Sequence, residues 1–192
     1  MVAVIKYNAG NIRSVMNALH RLNMPCVLTD DADVIQKAEK VIFPGVGHAG
    51  SAMQYLKEKN LHTLLPALKQ PLLGICLGLQ LMCSFSEEGP TEGLNIFPER
   101  VTHFPPAGKV PHMGWNSLRA LKGPLFDGIL ENTDVYFVHS YYAECGPHTI
   151  AVTDYQVSFS AALQKDNFFA VQFHPEKSAH AGQHILKNFL KL

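Results

Sequence analysis

Apolar and polar positions follow two different rhythms along the 192-residue chain. In the first half, short apolar runs give way to stretches with helical spacing. The run "VAVIKY" (2–7) precedes Ile12, Val15, Met16, Leu19 and Leu22, which recur every three or four residues and predict a helix. "PCVLT" (25–29) and "VIFPGVG" (41–47) predict two further strands, the second halted by Pro44 and Gly45. A helical stretch over 49–68, interrupted near Asn60, leads to a fourth strand, "PLLGI" (71–75), and to a helix in "LGLQLMCSF" (77–85). Strands alternating with helices predict a parallel sheet covered on both faces.

The second half reads as strand after strand, in "VPHMGWNSL" (110–118), "VYFVHSYYA" (135–143), "TIAVTDY" (149–155) and "FSAALQKDNFFAVQFH" (159–174). The last of these folds back on itself at Asp166-Asn167, a pair suited to a tight turn. "SAHAGQHILKNFL" (178–190) closes the chain as an amphipathic helix, with Ile185, Leu186, Phe189 and Leu190 facing inward. With no linker, repeat or low-complexity segment, the reading is one mixed α/β domain spanning 1–192. Its central sheet is mostly parallel, with antiparallel strands added from the second half.

Composition narrows the function. The chain is 47% hydrophobic and 17% charged, as in ordinary globular proteins. Sixteen basic and sixteen acidic side chains cancel, so no basic field recruits nucleic acid or an anionic membrane. No run approaches the roughly 18 apolar residues of a membrane span. "MVAVIKYNAG" lacks the apolar core and cleavage site of a signal peptide. Four cysteines without a C-x-x-C pair point to a reducing cytoplasm.

The chemistry is concentrated in "GICLG" (74–78), which has the form of a strand-turn-helix nucleophile elbow with Cys76 as the nucleophile. A thiol lifted above a strand end strains its backbone, and the turn packs on itself, which calls for Gly74 and Gly78. At the start of the following helix the dipole favours thiolate, and the Leu77 N–H can face an oxyanion. A catalytic thiol needs a base, and the base needs an orienting carboxylate. "FFAVQFHPE" (168–176) provides both, delivering His174 at a strand's carboxyl end with Glu176 two residues on.

"GICLGLQ" and "FHPE" resemble the class I glutamine amidotransferases. Within them, "YNAGNIRSV", "FPGVGHAGSAM", "VPHMGWN", "YFVHSYY" and "AVQFHPEKS" are similar to the glutaminase subunits of imidazole glycerol phosphate synthase. The resemblance covers almost the whole chain and implies the three-layer, flavodoxin-like α/β fold of that class. It implies that Cys76 attacks the glutamine side-chain amide to form a glutamyl thioester, that His174 shuttles the proton, and that Glu176 holds His174. A second oxyanion donor would come from the PGVG loop, at Val46 and Gly47, after a peptide reorientation that Gly45 and Gly47 permit. The same resemblance assigns Gly45, Gln80, Glu88, Ser140 and Tyr141 to substrate binding.

Free ammonia in neutral water becomes unreactive ammonium, so such a glutaminase must seal its product against a synthase. The resemblance implies a cyclase subunit with a (β/α)₈ barrel. That subunit would use the ammonia to make imidazole glycerol phosphate and aminoimidazole carboxamide ribonucleotide. Asn11, Trp115, Tyr136 and Lys177 would meet it.

No metal or other cofactor is expected. His180 and His184 are four apart on a helix but have no third ligand in view. "NAGN" and "PGVG" are too brief for a phosphate cradle. Cys83 reads as a buried apolar thiol. Rival readings are another small glutaminase, as in pyridoxal phosphate or anthranilate synthesis, a stand-alone γ-glutamyl cysteine hydrolase, and a non-catalytic binding module. "PHMGWN" argues against the first. A hydrolase would be active without a partner, and retention of the whole triad argues against the last.

Overall fold

The computed structural model describes residues 1–7 and 10–192; Asn8 and Ala9, inside the quoted "YNAGN", lie outside the described residues. The first half forms β1 (Val2–Ile5), α1 (Ile12–Arg21), β2 (Cys26–Thr29), α2 (Ala32–Lys37), β3 (Lys40–Phe43), α3 (Ala49–Glu58), α4 (Leu61–Ala67), β4 (Leu72–Ile75) and α5 (Leu77–Met82). Asn60, in left-handed backbone at φ 56°, separates α3 from α4. The second half contributes β5 (Phe85–Ser86), β6 (Thr91–Glu92), β7 (Arg100–His103), β8 (His112–Ser117), β9 (Asp134–His139), β10 (Tyr141–Ala143), β11 (Thr149–Tyr155), β12 (Val157–Lys165), β13 (Phe168–Val171) and α6 (Ala179–Lys191).

Seven strands make the main sheet in the order β11-β12-β13-β4-β3-β1-β2. The pairings from β13 through β2 are parallel, and β11-β12 and β12-β13 are antiparallel. Asp166 turns the β12-β13 hairpin at φ 51°. Successive side chains of a strand point to opposite faces, and the two faces of this sheet carry separate cores. Ala3 and Ile5 pack with Ile35, Leu56 and Leu65 from α2, α3 and α4. Val2 and Val4 pack with Val15 and Leu19 of α1 and with Ile185, Leu186 and Phe189 of α6. Leu190 is only partly buried. The result is three layers, helix-sheet-helix.

Two expectations need correction. The predicted helix over 77–85 ends at Met82, because Phe85 and Ser86 pair instead with β7 and β6. The helix α2 falls where no element was expected; the Asp31 carboxylate caps it, accepting from the Asp33 and Val34 N–H groups. A four-stranded sheet, β10-β7-β5-β6, and a two-stranded ribbon, β8-β9, sit beside the main sheet. No helix among the described residues is long and apolar enough to cross a membrane.

Candidate active site

The chain leaves β4 and turns at Cys76, with φ 53° and ψ −105°, a conformation rarely open to residues with a side chain. The Cys76 N–H donates to the Val171 carbonyl at 2.8 Å, tying the turn to β13. A Cβ on Gly74 would lie 2.9 Å from the Gly78 carbonyl carbon, the close approach expected from the sequence. Gly78 has a different reason for its size. Its Cβ would fall 1.9 Å from the Phe43 carbonyl oxygen, so glycine lets α5 lie directly against β3.

Because β13 and β4 are parallel neighbours with Val171 opposite Ile75, both strands discharge their following residues at one edge. His174 therefore arrives near Cys76. Its Nδ1 lies 2.8 Å from Glu176 Oε1, and both side chains are 1% exposed. The same oxygen accepts from the Asn11 amide at 2.5 Å. The His174 backbone is clamped as well, its N–H donating to the Tyr136 carbonyl and its carbonyl accepting from the Ser178 hydroxyl. Burial works against a charged ring, yet Cys76 and Glu176 together outweigh it and raise His174 from 6.5 to about 10. A proton leaving the thiol is therefore held on the ring. His174 Nε2 has no hydrogen-bond partner among the described residues, and the thiol faces the Val138 carbonyl at 3.9 Å.

A cavity of about 180 Å³ opens above the thiol. Val46, Gly47, Leu77, Gln80, Glu88, Ser140 and Tyr141, all assigned from sequence, line it with Cys76. Gly45 does not line it. The Leu77 N–H donates to the Gly45 carbonyl at 3.2 Å, so this donor is occupied. Val46 is held on its other side, where its carbonyl accepts from the Gly10 N–H at 3.0 Å. One Glu88 oxygen accepts from the Ala49 N–H at the start of α3.

The four residues assigned to a partner surface divide. Trp115 is 54% exposed, packs edge-on to Tyr136, and lies beside Met113 at 61% exposure. The Lys177 ammonium sits over the Tyr136 ring, 5.8 Å from its centre. These groups form an exposed aromatic patch on the β8-β9 ribbon and the segment after His174. Asn11 instead points inward to Glu176. Sequence reasoning missed Met113, Val138, His139 and Gln172. Met113 shares a strand face with Trp115, a period-two signal that was available; the other three take their places from strand register. His180 lines a separate groove between α1 and α6, and His184 packs against Gly128. Among the described residues no group of three or more His, Cys, Asp or Glu could hold a metal ion. Cys83 is fully buried.

Residues 3–192 match the family described as glutamine amidotransferase class-I. The chain is 57% identical over 194 residues to the imidazole glycerol phosphate synthase subunit HisH of Bacteroides fragilis (strain YCH46), spanning 100% of this chain and 99% of that relative. The HisH subunit of Haemophilus influenzae (strain KW20) is 45% identical, spanning 99% and 96%. A crystal structure of a glutamine amidotransferase superposes with a TM-score of 0.77 at 16% identity, over 100% of this chain and 98% of the other. The structure of PurLQS from Thermotoga maritima gives 0.72 at 17% identity, over 99% and 97%. At such identities these two structures speak for the fold.

Proposed function

The chain belongs to the class I glutamine amidotransferase family and has its fold, and on that premise we propose that it hydrolyses glutamine to glutamate and ammonia for a partner synthase. The observation that carries the reading is the buried Glu176–His174 pair behind the strained thiol of Cys76. The Cys76 sulfur attacks the side-chain amide carbon while His174 takes the thiol proton. The tetrahedral intermediate collapses as His174 returns a proton to the departing nitrogen, leaving a glutamyl thioester and ammonia. Water, deprotonated by His174, then cleaves the thioester, and glutamate leaves with the thiol restored. Gln80, Glu88, Ser140 and Tyr141 hold the amino-acid end of the substrate in the cavity.

The intermediate's oxyanion needs two donors, and Gly45 blocks the first. Turning the Gly45–Val46 peptide withdraws the carbonyl from Leu77 and turns the Val46 N–H toward the same point, while the Gly10 contact anchors Val46. Removing one such donor typically costs about 3 kcal/mol, roughly a hundredfold in rate. A blocked hole supports a glutaminase gated by its partner over a stand-alone γ-glutamyl hydrolase.

That partner is the cyclase subunit of imidazole glycerol phosphate synthase, a (β/α)₈ barrel docked on the patch of Trp115, Tyr136 and Lys177. It receives the ammonia and forms imidazole glycerol phosphate and aminoimidazole carboxamide ribonucleotide. One amidotransferase domain, 1–192, performs the glutaminase half in the cytoplasm, where thiols stay reduced. Glutaminase assays test the reading. The chain alone should be nearly silent, and the cyclase with its ribonucleotide substrate should raise turnover at least about a hundredfold, with Cys76→Ala inactive throughout. Full turnover by the chain alone, unchanged by the cyclase, would overturn the gate.

A further inference from the structure

Gln172 is wholly buried and leaves β13 beside the thiol, because Val171 and Ile75 are register partners. We infer that Gln172 is a further catalytic residue, the amide donor that steadies the Cys76 sulfur as an anion, and that hydrogen bonds running from the Tyr141 carbonyl through Gln80 fix its orientation. The inference deepens the glutaminase reading and rests on it.

The direction of the chain follows from one carbonyl. The Tyr141 C=O can only accept. Gln80 meets it at 2.9 Å, and so presents its amide nitrogen. The same nitrogen reaches Gln172 Oε1 at 3.1 Å, which must then be the oxygen. That leaves Gln172 Nε2 facing Cys76 Sγ at 3.6 Å, as a donor. Reversing Gln172 would set two amide nitrogens against each other and aim an oxygen lone pair at the sulfur.

A second arm ends on the same carbonyl. His139 Nδ1 lies 2.7 Å from it and must carry the hydrogen. In a neutral ring Nε2 is then bare, and it accepts from His112 Nδ1 at 3.0 Å. His112 Nε2 is bare in turn and accepts from the Asn116 amide at 3.2 Å. Asn116 is itself fixed, donating to the Asp154 carbonyl and accepting from the Ser117 N–H. Burial, the main influence on each ring, keeps both neutral, lowering His112 to about 4 and His139 to about 3. Asn116 and His112 belong to the ribbon that displays Met113 and Trp115, so the docking face and the nucleophile are tied through one backbone carbonyl.

An N–H donor favours an anionic sulfur over a neutral one. Alkylation of Cys76 by iodoacetamide at pH 7, followed on the full-length chain by peptide mass spectrometry, isolates this thiol from the other cysteines. Gln172→Leu should slow it about tenfold. An unchanged rate in a folded Gln172→Leu chain overturns the role of Gln172. Because a leucine in this polar pocket can also unfold the chain, the unmutated protein supplies a second readout. In ¹⁵N–¹H spectra at pH 7 the Gln172 side-chain amide, which meets the Cys76 sulfur at 3.6 Å, should shift when Cys76 is alkylated, and a signal that stays in place overturns the donor role. Neither readout involves glutamine; turnover by the wild-type chain with its cyclase, measured in parallel, tests the glutaminase reading separately.

Discussion

Asn11 begins α1 in left-handed backbone at φ 63°, and its amide shares Glu176 Oε1 with the ring of His174. Resemblance assigned it to the partner surface; the structure gives it an inward role at the carboxylate. A hydrogen bond to a charged group contributes about 1.5–3 kcal/mol. Asn11→Ala in the assembled synthase should therefore lower kcat by roughly tenfold to a hundredfold with KM nearly constant. Steady-state glutaminase kinetics would decide, since a change confined to KM would instead mark a substrate-binding role. Cys76, His174 and Glu176 were legible in the sequence because each sits in a short motif with a mechanical reason. Gln172 was not. A glutamine leaving a strand has no signature of its own, and this one acquires a neighbour only through the parallel register of β13 and β4.

Elements were legible where apolar spacing was long enough to show a period, as in α1, α3 and α6. Helix α2 has six residues, too few for a periodicity, and its real signal was the capping aspartate. The overrun of α5 has the opposite cause: Cys83 and Phe85 continue a helical pattern, but pairing with β7 claims Phe85 for a strand. What positions α5 is the contact at Gly78. Gly78→Ala would force a methyl group to 1.9 Å from the Phe43 carbonyl oxygen, and backbone cannot yield as a flexible side chain does. The expected cost is about 3 kcal/mol or more, at the upper end for overpacked sites. Urea unfolding should show it as a lower midpoint, with alkylation of Cys76 altered too because the elbow shifts. A midpoint within experimental error of wild type would mean that α5 is not pressed on β3.

At the scale of the whole molecule, alternating strands and helices predicted the parallel sheet and its two covered faces, whereas strand order did not follow from any local pattern. The insertion of β13 next to β4 is the long-range step that brings His174 to Cys76, and the β8-β9 ribbon buries two further histidines whose shifts run opposite to that of His174. His112 and His139 are neutral when folded and titrate near 6.5 when unfolded. Below about 6.5 the unfolded chain thus binds more protons, and stability falls with pH toward about 3. His174 runs the other way. Burial lowers it, but Cys76 and Glu176 outweigh burial, so the folded ring holds a proton more readily than the unfolded one. On the acid side His139 alone should contribute a slope approaching about 1.4 kcal/mol per pH unit, and the window from 6.5 to 5 lies above the ordinary carboxylate range. Urea midpoints of the full-length chain measured from pH 7 down to 5 would reveal the fall. A profile flat below 6.5 would mean that the His112–His139 pair is protonated in the fold, and the 3.0 Å hydrogen bond between the two rings could not then exist.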